Sequence, residues 1–162
     1  MTNNNSPEKP ASYEDGQDIR ERSFEFACNV VGFCEKLEEG RRVGRLMVPQ
    51  LLACSLSFPA MLEEARAAES DKDFISKCSI GLKECRESWT RLRVYHACRI
   101  GPEPEGRELV REANELISIV TAIIRNTRRN AAAKKEKSKK NGESGTGRRP
   151  ARREYAFQIP NS

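Results

Sequence analysis

One stretch of 26 residues, from Glu63 to Ser88, constrains the fold of this chain more than any other. After Ser70, apolar or small side chains recur at alternating steps of three and four residues, a spacing typical of a helix that packs almost parallel to its neighbours. These positions are Ile75, Cys78, Leu82, Cys85, Trp89 and Leu92. Ser70 followed by Asp73 is a capping-box-like start, which satisfies amides of the first turn. The stretch therefore predicts a bundle helix over residues 71–98.

The same spacing predicts three more helices, over residues 18–38, 43–69 and 104–129. Their apolar positions are Ala27, Val30, Cys34 and Leu37 with Phe26 and Phe33 in the first helix, Met47, Leu51, Cys54, Phe58, Met61, Ala65 and Ala68 in the second, and Leu109, Ala113, Leu116, Val120 and Ile123 in the last. Residues 99–106 contain two glycines and two prolines and are predicted to form a loop. Strand-like alternation is absent from the sequence.

Two features predict how these helices begin, bend and end. Asp18 is placed to cap the first helix, and Gly40 is suited to a left-handed conformation after its end. Pro49 and Pro59 lie inside the second helix, where each proline removes a backbone donor and crowds the preceding turn. We expect one kink or a split there, at Pro59 rather than at Pro49.

Four long helices joined by short loops predict an all-α fold, an antiparallel up-down-up-down four-helix bundle. Its predicted core includes Leu51, Phe58, Leu82, Trp89, Leu116 and Val120. Residues 1–17 are polar and are expected to form a flexible lead. Residues 18–129 form the bundle, and residues 130–162 are low in complexity and are expected to form a disordered basic tail.

The charge of this chain is divided unevenly. Residues 1–124 carry 17 Lys and Arg against 21 Asp and Glu, whereas residues 125–162 carry 12 against 3. A basic segment of this kind binds nucleic acid or an anionic membrane, or it serves only as a solvated tail. The candidate nucleic-acid-binding residues are Arg125, Arg128, Arg129, Lys134, Lys135, Lys137, Lys139 and Lys140.

No motif in the sequence indicates catalysis, so we expect no catalytic residue, no cofactor and no metal site. The six cysteines form no Cys-x-x-Cys pair, and four lie at core positions, which favours an apolar role over metal binding or redox chemistry. The single histidine, His96, continues the third apolar stripe and is interpreted as structural. The chain also lacks a signal-peptide pattern and any apolar run approaching about 20 residues, so we expect a cytoplasmic protein without a membrane-spanning helix.

The central stretch resembles the four-helix-bundle family of bacterial 23S ribosomal RNA intervening-sequence proteins. The matching residues are Gln50, Leu51 and Leu52, then Ser57, Ala60, Glu63, Glu64 and Ala65, then Ser70, Asp73, Phe74 and Ile75, and finally Ile80, Leu82, Lys83, Glu84, Arg86, Glu87 and Leu92. Ser88 replaces the family's threonine. Pro59 and Met61 depart from the family's glycine and asparagine, and Thr90 and Arg91 depart from its tyrosine and tryptophan.

The resemblance implies an antiparallel four-helix bundle that assembles into a homopentameric ring, and it implies no catalytic residue. It also implies a relationship to the accessory protein of diversity-generating retroelements, a basic pentamer that binds nucleic acid and a reverse transcriptase. Apolar or small residues beyond the predicted stripes, at Phe24, Phe74, Ile80 and Gly81, likewise indicate a second surface for self-association. The leading hypothesis is a nucleic-acid-associated bundle with RNA favoured. The alternative is an oligomeric protein-interaction scaffold, for example a reverse-transcriptase accessory protein, with an inert tail.

Overall fold

The computed structural model describes residues 18–140, which form four helices. They are α1 (Ile19–Glu38), α2 (Arg42–Arg66), α3 (Asp71–Ala97) and α4 (Glu103–Lys140). Each helix packs against the next, and α4 closes the bundle against α1. The prediction of an all-α, antiparallel four-helix bundle is confirmed, and the described residues contain no strand. The predicted lead, residues 1–17, and residues 141–162 of the predicted tail lie outside the described residues.

The predicted caps are confirmed at two helix starts. The Asp18 side chain accepts a hydrogen bond from the amide of Arg20 at 3.0 Å, and the Ser70 hydroxyl accepts one from the amide of Asp73 at 3.1 Å. The Asp73 carboxylate in turn accepts a bond from the amide of Glu69, one residue before the cap. These side chains satisfy amides that have no partner inside the helix, which fixes the points where α1 and α3 begin.

The left-handed conformation predicted at Gly40 is wrong. Within the described chain, positive φ angles occur at Arg99 (52°) and Gly101 (85°), in the connection between α3 and α4. The amide of Gly40 instead bonds to the carbonyl of Leu37 at 3.1 Å, so α1 ends in a right-handed turn. At Gly101 a Cβ atom would lie 2.6 Å from Leu37 Cδ2, and this crowding requires glycine there in addition to the φ angle.

Helix α2 runs without interruption through both prolines, so the predicted split is absent. Pro49 is exposed and Pro59 is half-buried. Pro49 leaves the carbonyl of Arg45 without a helical donor, and because Arg45 is exposed, water can satisfy that carbonyl. Pro59 leaves the carbonyl of Ser55 without a helical donor, and Ser55 is fully buried.

The core contains most, but not all, of the residues predicted for it. In α1, α2 and α4 the predicted positions are largely buried, including Leu51, Phe58, Leu116 and Val120, although Met47, Met61 and Ala68 are only half-buried. In α3 the inward face is rotated by about one residue relative to the prediction. Its buried residues are Phe74, Cys78, Gly81, Cys85, Ser88, Leu92 and Tyr95. Ile75, Leu82 and Trp89 are half-buried and pack against the edge of the core.

Tyr95 shows why α3 adopts this orientation. Its ring is fully buried in an edge-to-face contact with Phe33, with the centroids 6.0 Å apart. Its hydroxyl donates to the carbonyl of Gly44 at 3.2 Å, which joins α3 to the first turn of α2. A buried aromatic residue with a satisfied hydroxyl is a stronger contact than a half-exposed histidine one residue later could make.

A small polar cluster lies between α2 and α3. The Ser55 and Ser88 hydroxyls are 3.1 Å apart, and both residues are fully buried. Ser88 also lies 3.1 Å from Cys54 Sγ and donates to the carbonyl of Glu84 at 3.0 Å. Every hydroxyl in this cluster therefore has a partner, as buried polar groups require.

Helix α2 is, within residues 18–140, the one helix that is long and apolar enough to cross a membrane. Its 17 residues Leu46–Leu62 carry no acidic or basic side chain. The sequence analysis did not anticipate this. The core helix of a soluble bundle can be equally long and apolar, and α2 packs against both α1 and α3.

Helix α4 is longer than predicted. The apolar spacing predicted an end near Arg129, but the helix continues to Lys140. Residues 130–140, expected at the start of the disordered tail, are therefore helical. Elongation of an existing helix costs little, and Ala131, Ala132 and Ala133 have the highest helix propensity of any residue type. The division of the chain into lead, bundle and tail otherwise stays a prediction.

Candidate nucleic-acid interface

The candidate interface is the carboxyl-terminal part of α4. Between residues 125 and 140 this helix carries eight basic residues and one acidic residue, Glu136. Arg125, Arg128 and Arg129 are exposed. Lys134, Lys135 and Lys137 are exposed as well, whereas Lys139 and Lys140 lie in the last turn and their side chains are not described. The structure thus brings all eight predicted residues onto one continuous helix.

Helix α4 extends beyond the bundle in the same segment where its basic residues lie. Ile123 and Ile124 are the last buried side chains of α4, and the residues from Arg128 to Ser138 are exposed except for half-buried Ala131. We call residues 128–140 the projecting helix. At 1.5 Å per residue it is about 20 Å long, which places basic side chains well beyond the packed core.

One ion pair holds the base of the projecting helix. Lys134 Nζ lies 3.4 Å from Asp71 Oδ2, at the start of α3. The lysine side chain remains 55 % exposed, so the pair is screened by solvent and contributes little to stability. The pair lies where α4 passes the first residue of α3.

Basic residues occupy most of the circumference of the projecting helix. With 100° between successive residues, Lys135 and Lys137 lie on nearly opposite sides. A narrow uncharged stripe, formed by Thr127, Ala131 and Ser138, continues the side of α4 that faces the bundle. The helix can therefore approach phosphates on two sides at once.

An apolar groove that was not predicted from the sequence lies between α1 and α2, with a volume of about 520 Å³. Its lining includes Phe24, Val31, Leu56 and Pro59, and ionisable Arg20, Glu21 and Glu63 border it. Phe24 is 56 % exposed although it is large and apolar. Phe24 and Val31, two helical turns apart, and the uncharged stretch Leu46–Leu62 were the signals that could have revealed this surface.

A second groove, of about 490 Å³, lies between α1 and α4 and has a different character. Charged residues border it, including Lys36, Glu105, Glu108 and Glu112. Above it, Arg22 on α1 binds Glu112 on α4 through two hydrogen bonds of 2.6 and 2.8 Å and also reaches Glu115. These bonds raise the pKa of Arg22, which stays charged and ties the two helices together.

The cysteines and the histidine of residues 18–140 lie in different surroundings. Burial raises the pKa of the Cys78 and Cys85 thiols to about 12, so both are protonated and unreactive at neutral pH. The four core thiols are Cys34, Cys54, Cys78 and Cys85, as predicted. His96 is half-buried, and its Nδ1 atom has no hydrogen-bond partner within the described part of the chain. Residues 18–140 contain no group of three His, Cys, Asp or Glu that could hold a metal ion.

Comparison with known proteins identifies the bundle. A family model described as 23S rRNA-intervening sequence protein matches residues 16–122. The chain belongs to this family. A solved structure similar to this chain is a protein of unknown function from the S23 ribosomal protein family of Bacteroides thetaiotaomicron, with a TM-score of 0.59 and 26 % sequence identity. The match covers 65 % of this chain and 97 % of that one. No curated protein matches the sequence.

The extent of the family match bears on the candidate interface. It ends at residue 122, before the first of the eight basic residues, Arg125. The family therefore accounts for the bundle, whereas the projecting helix lies outside the matched region. Its role has to be inferred from its own charge and geometry.

Proposed function

We propose that this chain is a non-enzymatic bundle protein that binds RNA through the basic end of α4 and the residues that follow it. The observation that carries the proposal is the concentration of eight basic residues between positions 125 and 140, against one acidic residue. Lys and Arg near a helix carboxyl terminus suit the helix dipole, but that effect is confined to the last turn. It does not account for basic residues over four turns.

RNA is the favoured nucleic acid because the family is described by an insertion in 23S ribosomal RNA. Nothing in the basic segment itself reads a base sequence, and Lys-rich segments bind phosphates with little sequence preference. We therefore expect binding that depends on charge and on RNA shape. The proposed location is the cytoplasm, where ribosomal RNA is found in bacteria.

A salt titration tests the proposal. Purified full-length protein is titrated into a fluorescent RNA, and the dissociation constant is measured by anisotropy from 50 to 300 mM salt. If all eight basic residues contact phosphates, the logarithmic slope reaches about −6 on single strands and about −7 on a duplex. Removing residues 130–162 is expected to abolish most of the binding. Wild-type protein that does not bind RNA at 50 mM salt would refute the proposal.

A matched control separates this segment from the charge of the chain as a whole. The triple variant Lys134→Gln, Lys135→Gln and Lys137→Gln removes three charges from the projecting helix. Another triple variant, of Lys72, Lys83 and Arg86 to Gln, removes three charges from exposed positions on α3. We expect the first to weaken binding and to flatten the slope by about 2–3, and the second to change neither by much.

We also propose that the chain assembles into a closed homo-oligomer, with five copies as the expected number. Of the four residues first assigned to a second apolar surface, Phe74 and Gly81 lie in the core, and that part of the interpretation is wrong. Phe24 and Ile80 are exposed, and α2 adds Leu46, which is 68 % exposed. Large apolar side chains exposed on three different helices support burial against another copy.

Light scattering tests the assembly directly. A pentamer has about five times the mass of the 18.3 kDa chain, whereas a stable mass of one chain at micromolar concentration would exclude a ring. Leu46→Glu places a charge on the apolar surface without touching the core, so it is expected to reduce the mass while the helical content is retained. Lys83→Glu on α3 serves as the control for an added negative charge.

A second candidate function is an oligomeric scaffold for a protein partner, with the basic segment inert. The groove between α1 and α2 favours it, because an apolar cleft of about 520 Å³ can receive side chains of a partner. The salt titration distinguishes the two, since a scaffold with an inert segment binds no RNA at low salt.

A further inference from the structure

We propose that the projecting helix binds inside the groove of a double-stranded nucleic acid, and that the partner offers a groove about as wide as a helix. This inference rests on the RNA-binding function proposed above and specifies the form of the partner. A disordered basic tail would follow any phosphate backbone, whereas a helix imposes a shape. The structure makes residues 128–140 a helix, and the shape of the binding partner follows from that.

The distribution of charge favours a groove over an outer surface. A helix that lies along one strand needs basic residues on one side only. Here Lys135 and Lys137 lie about 160° apart around the axis, and Arg128 and Arg129 are separated by 100°. A helix in a groove has a phosphate backbone on each side, and this arrangement matches both.

The width of the helix limits which duplex can receive it. An α-helix with its side chains is about 10–12 Å across, and the major groove of B-form DNA is about 12 Å wide. The major groove of a regular A-form RNA duplex is too deep and narrow for side chains to enter. The partner is therefore an RNA duplex whose groove is opened by a bulge or internal loop, or a B-form DNA duplex that supplies the same width.

The helical shape also depends on contact with phosphates. Lys134 and Lys137 are spaced three residues apart, and like charges at this spacing destabilise a helix. The ion pair from Lys134 to Asp71 opposes that repulsion near the base of the projecting helix. Phosphates on both sides neutralise the lysines, so we expect the projecting helix to become more stable when it is bound.

One substitution separates helix shape from charge. Ala132→Pro changes no charge, but it removes a backbone donor and clashes with the preceding turn in the middle of the projecting helix. Ala132 is exposed, so the packed core is left in place. Ala132→Gln at the same position keeps the helix and serves as the matched control. Thermal unfolding monitored by circular dichroism verifies that the bundle is intact in both variants.

The experiment compares three duplexes of equal length at one salt concentration, namely a regular RNA duplex, the same RNA with a three-nucleotide bulge, and the corresponding DNA. We expect the bulged RNA and the DNA to bind about tenfold or more tightly than the regular RNA, and Ala132→Pro to remove that preference while Ala132→Gln retains it. Bulged RNA binding more tightly than DNA identifies RNA as the source of the groove, and the reverse identifies DNA. Amide exchange of residues 131–140 is expected to slow on binding.

Two other outcomes are informative in different ways. Equal binding to all three duplexes, unchanged by Ala132→Pro, would overturn the groove model and leave the proposed RNA binding intact. Absence of binding by the wild-type protein to every nucleic acid at low salt would overturn both.

Discussion

Substituting Gly81 tests the orientation of α3, because the sign of the change in the free energy of unfolding depends on whether position 81 faces the core. Gly81 is buried against α2, and a Cβ atom there would lie 3.2 Å from Met61 Cβ and 3.5 Å from the carbonyl oxygen of Phe58. Gly81→Leu adds three further carbons where no space exists. Overpacking of this kind costs about 1–3 kcal/mol, while replacing a helical glycine by leucine gains about 0.5–1 kcal/mol. We expect a net loss of about 1–2 kcal/mol in the free energy of unfolding.

An outward-facing Gly81 that made no contact with another copy would give the opposite sign. If Gly81 faced solvent, the same substitution would stabilise the protein through helix propensity alone. Urea unfolding followed by circular dichroism at 222 nm measures the difference. Gly32→Ala is the matched control, because no atom lies within 4 Å of its added Cβ, and it is expected to gain about 0.5–1 kcal/mol. A more stable Gly81→Leu protein would refute the packing of α3 against α2 described here.

Three further predictions follow from the contacts between helices and from the thiols. Arg22→Ala removes both hydrogen bonds to the half-buried Glu112 and is expected to lower the free energy of unfolding in urea by about 1–3 kcal/mol. Arg22→Lys should recover part of this loss, and an unchanged free energy for Arg22→Ala would mean that the pair is fully screened by solvent. Cys28 and Cys98 are expected to react with a thiol reagent in the folded protein, and all six thiols only in denaturant; fast reaction of more than two would contradict the burial of the four core thiols. Burial raises the pKa of Tyr95 and of three core thiols to about 12, so the unfolded chain loses these protons at a lower pH than the folded protein does. The free energy of unfolding should therefore fall as the pH rises from about 9 to 12. Denaturation measured at each pH that gave a constant free energy of unfolding would contradict this.

The sequence predicted the helices well because each carries a long apolar stripe, but it left the rotation of α3 ambiguous. Phe74 and Ile75, like Gly81 and Leu82, are adjacent pairs in which either member could have faced inward. Local spacing cannot choose between two stripes that are 100° apart. The choice is made by contacts with distant residues, such as the hydrogen bond from Tyr95 to Gly44, which no periodicity reveals.

The eight candidate residues of the interface were identified from the sequence, whereas their position on a helix was not predicted. All eight basic residues were identified from charge alone, since clustering of charge is visible in the sequence. Their helical arrangement was not predicted, because the apolar spacing that signals a packed helix stops near Ile124. Beyond that point the helix depends on propensity and on continuity with the packed part of α4, neither of which leaves a periodic pattern.

The hydroxyl pair between α2 and α3 has a consequence for how this sequence can change over evolution. Apolar stripes tolerate sliding by one helical turn, because one leucine can replace another against the same neighbour. Ser55 does not, since a slide would separate its buried hydroxyl from that of Ser88 at a cost of about 1–3 kcal/mol, whereas Ser88 keeps the carbonyl of Glu84 on its own helix. The residue at position 55 should therefore depend on the residue at position 88. In related sequences we expect a polar residue at position 55 to occur together with a polar residue at position 88, and a lineage that changed only Ser88 would have to pass through a less stable protein.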